Sequence, residues 1–314
     1  MFKKTILPIL LSTTLIGGAA WAEKIKIGVS IPSATHGFMA GLNYHAEVAE
    51  KRLEALYDDI DIQLITAGSA SEQANGLEDL VSIHQIDALV ILPFESGPLT
   101  DPVKAIKDQG VFITVVDRGL TEEGIEDIYV AGNNFEMGRI SGQYIKDQLP
   151  DGGDIVVLRG IPTTLDDERV EGFKSVIDGT NVNILDMQYA NWNRDDGFEV
   201  MQDYLSRFPK IDAVWAQDDD IMLGVLEATK QANREDEFFV VGGAGMKEIV
   251  KRVMEGDKLT PVDVLYPPAQ IATAMDITVM HFKSNAPARG RYILGSPLIT
   301  KENAEQFYFP DSPF

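Results

Sequence analysis

An apolar run over 111–116 (Val-Phe-Ile-Thr-Val-Val) stops abruptly at Asp117-Arg118-Gly119. In open α/β sheets, the carboxyl ends of such strands are where small molecules sit. Asp117 accepts hydrogen bonds and Arg118 donates them in a planar fork, so the pair can grip the vicinal hydroxyls of a sugar or polyol. A self-satisfied surface ion pair is the alternative. It loses ground because other strand ends carry polar clusters as well. Gln217-Asp218-Asp219-Asp220 follows one such run, and Glu95 stands just beyond another that ends at Leu92-Pro93. Tyr266 opens the chain break Tyr266-Pro267-Pro268, and its location makes it a further candidate.

Hydroxylated guests want charged or amide groups at their rim and flat rings against their C–H faces. Trp192, between Asn191 and Asn193 and directly before a helical pattern, is poorly placed for a core and well placed for stacking. The run Asp218-Asp219-Asp220 invites a metal, but three consecutive side chains point in different directions; capping of the next helix by Asp219 or Asp220 explains them better. The turn Gly242-Gly243-Ala244-Gly245 lacks the spacing of a phosphate loop and suits a tight turn or a close backbone approach to a guest. No nucleophile elbow or zinc-protease motif is present, and the four histidines do not cluster. The pattern implies binding without catalysis, cofactor or metal.

The elements that must position these residues alternate. Strands are expected over 24–30, 61–67, 87–93, 111–116 and 128–131, with helices over 37–56, 71–84 and 97–109 between them. A second series follows: helices over 135–148, 164–177, 194–207, 219–232 and 246–254, strands over 154–158, 182–189, 212–217 and 237–242. One more strand (262–265), a helix (269–282), a strand (291–294) and a terminal helix (302–307) close the chain. This is the pattern of a doubly wound α/β protein, repeated. Phe38, Leu42, Ala46, Ala49, Leu53 and Leu56 form a core stripe along the first helix. Phe38 therefore fits a core or a guest contact equally, whereas Met39 lies off the stripe and is expected to face a cleft.

At 314 residues the chain exceeds a usual single core, so two domains are expected. The net charge of −22 argues against nucleic acid and anionic membrane surfaces as partners. Lys3 and Lys4, a short apolar stretch over 6–16 and Ala20-Trp21-Ala22 make a secretory signal peptide over 1–22, with a mature chain from Glu23. With no cysteine anywhere there is no disulfide, no thiolate chemistry and no lipid-anchored Cys. A soluble periplasmic protein is the expectation.

The signal segment, the twin series and Val115-Val116-Asp117-Arg118 resemble the ribose-binding branch of the periplasmic sugar-binding proteins. So do Asp167-Glu168-Arg169-Val170-Glu171-Gly172-Phe173, Ala213-Val214-Trp215-Ala216-Gln217-Asp218-Asp219 and Val240-Val241-Gly242-Gly243. The similarity spans essentially the whole mature chain. It implies a type I periplasmic binding protein: two similar flavodoxin-like parallel-sheet lobes joined by a multi-strand hinge. The first lobe would comprise 23–131 and 266–293, the second 132–265 and 294–314, with crossings near 131–134, 265–268 and 293–296.

By position, the resemblance implies that Asp117 and Arg118 bind hydroxyls from the first lobe, and Arg169 and Asp218 from the second. Trp192 takes a stacking position, Phe38 and Met39 take a paired aromatic position, and His36 is the polar residue ahead of them. Without the motif, Arg169 would pass for a helix-surface residue paired with Asp166 or Glu168, and His36 for a solvated histidine. The chain departs from the family at Gly243 to Gly245, which offer no carboxylate, at Leu92-Pro93 and at Leu265-Tyr266. Those departures point away from ribose toward another pentose, a hexose or a polyol. The implied function is hinge closure over one monosaccharide or polyol and its delivery, by a monomer, to the permease of an ATP-driven (ABC) transporter. A receptor presenting the sugar to a chemoreceptor or sensor kinase is the alternative.

Overall fold

The computed structural model describes residues 24–34 and 36–314; the signal-peptide reading of 1–22 lies outside them. The first parallel sheet is built from β1 (Ile25–Pro32), β2 (Ile60–Ala67), β3 (Ala88–Ile91), β4 (Phe112–Val116), β5 (Ile128–Gly132) and β11 (Gly290–Leu294). Its strand order is β11-β5-β4-β3-β1-β2. Helices α1 (Gly37–Leu56), α2 (Ala70–Asp79) and α3 (Ser96–Lys107) connect these strands, and α9 (Gln270–Lys283) leads into β11.

Alternation along the strands sends side chains to opposite layers. Ala88 and Val90 of β3 and Phe112 and Val116 of β4 join one core with α1 and α9, whereas Leu89, Ile91, Ile113 and Val115 join the other. A sheet buried on both faces needs the near-continuous apolar runs seen in the sequence. The helix expected over 71–84 is α2 followed by a single π turn, Leu80–His84.

The second sheet has the order β7-β6-β8-β9, from β6 (Gly153–Arg159), β7 (Val182–Tyr189), β8 (Ala213–Ala216) and β9 (Phe239–Val241). Helices α4 (Asn134–Gln148), α5 (Thr164–Ile177), α6 (Arg194–Arg207), α7 (Asp219–Ala232) and α8 (Lys247–Glu255) cover it. A short antiparallel pair, β10 (Asp263–Val264) with β12 (Leu298–Ile299), continues it through a bridge from Val241 to Val262. Two lobes of the same doubly wound design result. Tyr266, between β10 and α9, sits where the chain passes between them. The ring packs against Gly132, at which a Cβ would lie only 2.3 Å from the Tyr266 Cε2, so a side chain there would displace the crossing.

Candidate functional site

The carboxyl ends of the two sheets face one cavity of about 480 Å³, counting the space at its mouth. Eight of the ten candidates line it: His36, Phe38, Asp117, Arg118, Arg169, Trp192, Asp218 and Tyr266, together with Leu165 and Ala244. Two candidates do not. Met39, expected to face the cleft, is 2 % exposed in the first lobe's core. The buried stripe of α1 is Met39, Leu42, Ala46, Ala49 and Leu53, one residue later at its start than the sequence suggests, so Phe38 is turned toward the cavity instead. Glu95 is exposed at the N terminus of α3, caps nothing and stays outside the lining.

The first lobe's contribution hangs on the end of β4. Asp117 has a left-handed backbone (φ 59°), held by its own amide on the Val130 carbonyl and by the Tyr129 phenol on its carbonyl at 2.6 Å. No ion pair joins it to Arg118 among the described residues; Arg118 Nη1 donates instead to the Phe94 carbonyl at 2.6 Å. Phe94 is itself fixed by the buried Gln73, which accepts from the Phe94 amide at 2.6 Å and donates to Ser30 and to the Leu92 carbonyl. A carboxylate and a guanidinium are thus presented separately, each held by something else. His36 adds a buried Nδ1 with no partner among the described residues. Burial, with the Arg118 charge adding to it, holds its imidazole down at about 4, so it stays neutral.

From the second lobe, Arg169 is 5 % exposed. Its Nε donates to Asn134 Oδ1 and its Nη1 to the Gln217 carbonyl, both at 2.9 Å. The guanidinium lies between two rings, 4.7 Å from the centroid of Tyr266 and 5.5 Å from that of Trp192. The alternative pairing with Asp166 is not made, because Arg159 and the Gly160 amide already occupy that carboxylate. Trp192 also takes a left-handed backbone (φ 50°), unusual for so bulky a residue, and lies on Gly160, where a Cβ would be 2.0 Å from its Nε1.

The three aspartates do point apart. Asp218, not Asp219 or Asp220, caps α7, accepting from the Ile221 amide at 2.8 Å while facing the cavity. Its carboxyl is pushed up to about 7 by burial and by the neighbouring Asp220 charge, against the pull of Arg169. Asp219 is fully buried and accepts from the amides of Gly243, Gly245 and Met246 at 2.8 to 3.1 Å; Asp263 accepts from Gly245 as well. Together they hold the turn 243–246, from which Ala244 reaches the cavity. Burial raises both carboxyls, Asp263 to about 7, and the Asp263 charge adds to the rise at Asp219, so the pair prefers to keep a proton.

Leu165, Ala244, Asn134 and Gln217 were not among the candidates. Leu165 was within reach of the sequence, since it stands four residues before Arg169 and so shares its helix face. Asn134 and Gln217 act by holding Arg169, a role that only tertiary contacts reveal.

The surroundings suit a neutral, polyhydroxylated guest: two carboxylates, two guanidiniums and three aromatic rings meet in one cavity. Comparison with known proteins shows what the chain is similar to. The chain is 28% identical over 293 residues to the ribose import binding protein of Escherichia coli (strain K12), covering 93% of this chain and 95% of that one. The crystal structure of the Caulobacter myo-inositol binding protein, bound to myo-inositol, superposes with a TM-score of 0.77 at 25% identity, covering 90% of this chain and 92% of that one. The fructose binding periplasmic domain of the hybrid two component system BT1754 matches with a TM-score of 0.75 at 26% identity, covering 90% and 92%. A model of the periplasmic binding protein domain matches residues 27–286, and the chain belongs to that family.

Proposed function

We propose that this chain is the capturing component of an ABC import system, taking one monosaccharide or polyol into the interlobe cavity by hinge closure. The observation that carries the reading is the cavity itself, in which Asp117 and Arg118 of one lobe face Arg169, Trp192 and Asp218 of the other. Neither lobe alone offers the full set, so a guest held by all of them requires both. The E. coli relative's role in ribose import and the myo-inositol held by the Caulobacter protein support the class of guest.

Closure over such a guest needs no covalent chemistry, and the protein acts as a binder and not an enzyme. A micromolar complex corresponds to about −8 kcal/mol. Spread over roughly a dozen ligand atoms, that stays within the ceiling of about −1.5 kcal/mol per atom. A periplasmic monomer, released from its signal peptide after residue 22 and docking on a permease, completes the reading.

The test is a thermal-shift screen of residues 23–314 against pentoses, hexoses, inositols and alditols, followed by calorimetry on the hits. A guest at about a hundred times its Kd should add about 2.7 kcal/mol. Absence of any shift across the whole panel would overturn the proposal. The likeness to a two-component periplasmic domain favours one second reading, a sensory receptor for the same guest. Loss of uptake on deletion of this protein supports import, whereas intact uptake with lost sugar-dependent signalling supports the sensor.

A further inference from the structure

Outside the cavity, the lobes meet along a second seam. Residues 309–314 belong to the second lobe. Lys247 holds the carbonyls of Pro310 and Ser312, and Phe314 is buried in that lobe's core. The same segment nevertheless lies along α1 of the first lobe. Phe309 meets His45 edge-on at 5.2 Å, and Phe314 meets Phe38 edge-on at 6.0 Å. Gly37, Gly41 and His45 are four residues apart and share one ridge of the helix. The two glycines cut a notch in that ridge: a Cβ on Gly41 would lie 2.8 Å from the Phe314 Cβ, and one on Gly37 would lie 2.9 Å from its Cδ2.

Asp220 approaches the same turn from α7. Its two carboxylate oxygens lie 2.8 and 2.9 Å from where a Gly37 Cβ would stand. Helix α1 has no side-chain cap of its own, since His36 makes none. Its first amides are therefore free to meet a carboxylate from the facing lobe, the arrangement that a helix N terminus favours. Burial raises the Asp220 carboxyl above its ordinary value, and the amides of Phe38 and Gly37 together with the Arg194 charge offset that rise only in part.

We propose that Phe314 and Asp220 form a clasp on the first two turns of α1, which stabilises the closed form and sets how long a captured guest is retained. Neither residue lines the cavity. Opening the hinge strips the ring from its notch and exposes the carboxylate and the amides to water. Any stabilisation of the closed form multiplies into overall affinity, because the guest is held only there. The effect on release rests on the hinge-closure reading given above; the seam does not.

The two claims are tested separately. The chain has no cysteine, so the double variant Gly41→Cys/Phe314→Cys gives an unambiguous crosslink. Its Cβ atoms start within about 1 Å of disulfide range, and mild oxidation of the guest-free protein should link them nearly completely. Gly41→Ala then pushes on Phe314 alone while improving the helix propensity of α1. It should leave the melting point of the guest-free protein unchanged or higher, yet speed dissociation about tenfold, equivalent to about 1.4 kcal/mol. Phe314→Ala should speed dissociation likewise from the other lobe, at the cost of a lower melting point because it also empties part of that lobe's core, and Asp220→Asn should speed it in lesser degree. D-ribose, D-allose, xylitol and myo-inositol are the probes, each followed by stopped flow. If none binds the wild type, the sugar reading fails, and the clasp is judged by the crosslink and by small-angle scattering, in which Gly41→Ala should be the more expanded. No crosslink, or a Gly41→Ala variant that matches the wild type in both dissociation and scattering, overturns the clasp.

Discussion

The phenol of Tyr266, on a crossing between the lobes, donates to Oδ1 of Asp117 at the end of β4. One hydrogen bond therefore joins the hinge to the binding wall. Burial and the Asp117 charge hold the Tyr266 hydroxyl well above its ordinary pKa, so it remains a donor at every physiological pH. With Oδ1 engaged, Asp117 presents its other oxygen to a guest in one fixed direction.

Tyr266→Phe keeps the ring against Gly132 and Arg169 but removes that donor. A buried carboxylate that loses one hydrogen bond costs about 1–3 kcal/mol. The expected outcome is a slightly lower melting point together with affinity weakened tenfold or more, measured by calorimetry on the best guest. Unchanged affinity would show that the orientation of Asp117 does not matter.

Arg169 serves the fold as well as the cavity. Arg169→Ala leaves Asn134 Oδ1 and the Gln217 carbonyl without their donor. The guest-free protein should lose about 2–3 kcal/mol by denaturant titration, besides binding its guest at least tenfold more weakly. Asp117→Ala should weaken binding comparably. An Arg169→Ala protein as stable as the wild type would assign the residue to the guest alone.

The buried pair Asp219 and Asp263 predicts a pH dependence of stability. Both carboxyls are raised above their unfolded value near 3.8, Asp263 to about 7. A raised carboxyl contributes stability that is fully present below the unfolded pKa and is lost as pH rises through the folded one. The melting point should therefore fall between pH 5 and 8. Asp263→Asn, which keeps an acceptor and can donate to an ionised Asp219, should flatten that slope; an equally steep slope in the variant would exclude the pair as its source.

Asp218 titrates in the same range, near 7, inside the cavity. Above that value it is the charged acceptor that hydroxyls prefer. Affinity should strengthen as pH rises from 6 to 8, and Asp218→Asn should remove the dependence. His36, held down at about 4, should contribute nothing to it. A persistent slope in Asp218→Asn would point to another group.

Much of this was legible in the residue order. The bounds of α1, α5, α6 and α7 coincide with the periodic segments, because each is preceded by a polar residue and carries an apolar stripe. Asp117, Arg118, Arg169, Trp192 and Asp218 reach one cavity because each stands at or just beyond a strand's carboxyl end, or on the helix that follows. What failed was the choice between neighbours. Of the two cavity candidates at the start of α1, Met39 turns into the core and Phe38 to the cavity, because a shift of one residue turns a helix by about 100°, more than an apolar stripe can resolve. The capping duty fell to Asp218 because the turn at 243–246 and the mouth of α1 claim the other two aspartates. β12 escaped notice because two residues are too few for a period.

Both sheets are parallel, so every connecting helix begins where a strand ends, and the two lobes aim those beginnings at each other. His36 at the mouth of α1, Asp218 at that of α7 and Leu165 in the first turn of α5 all border the same cavity. Two guanidiniums thus sit among several positive dipole ends, a setting that by itself would trap phosphate or sulfate. Asp117 and Asp218 are the counterweight, and under the proposed function the strength with which they repel anions is as much a part of selectivity as any hydroxyl they would accept from.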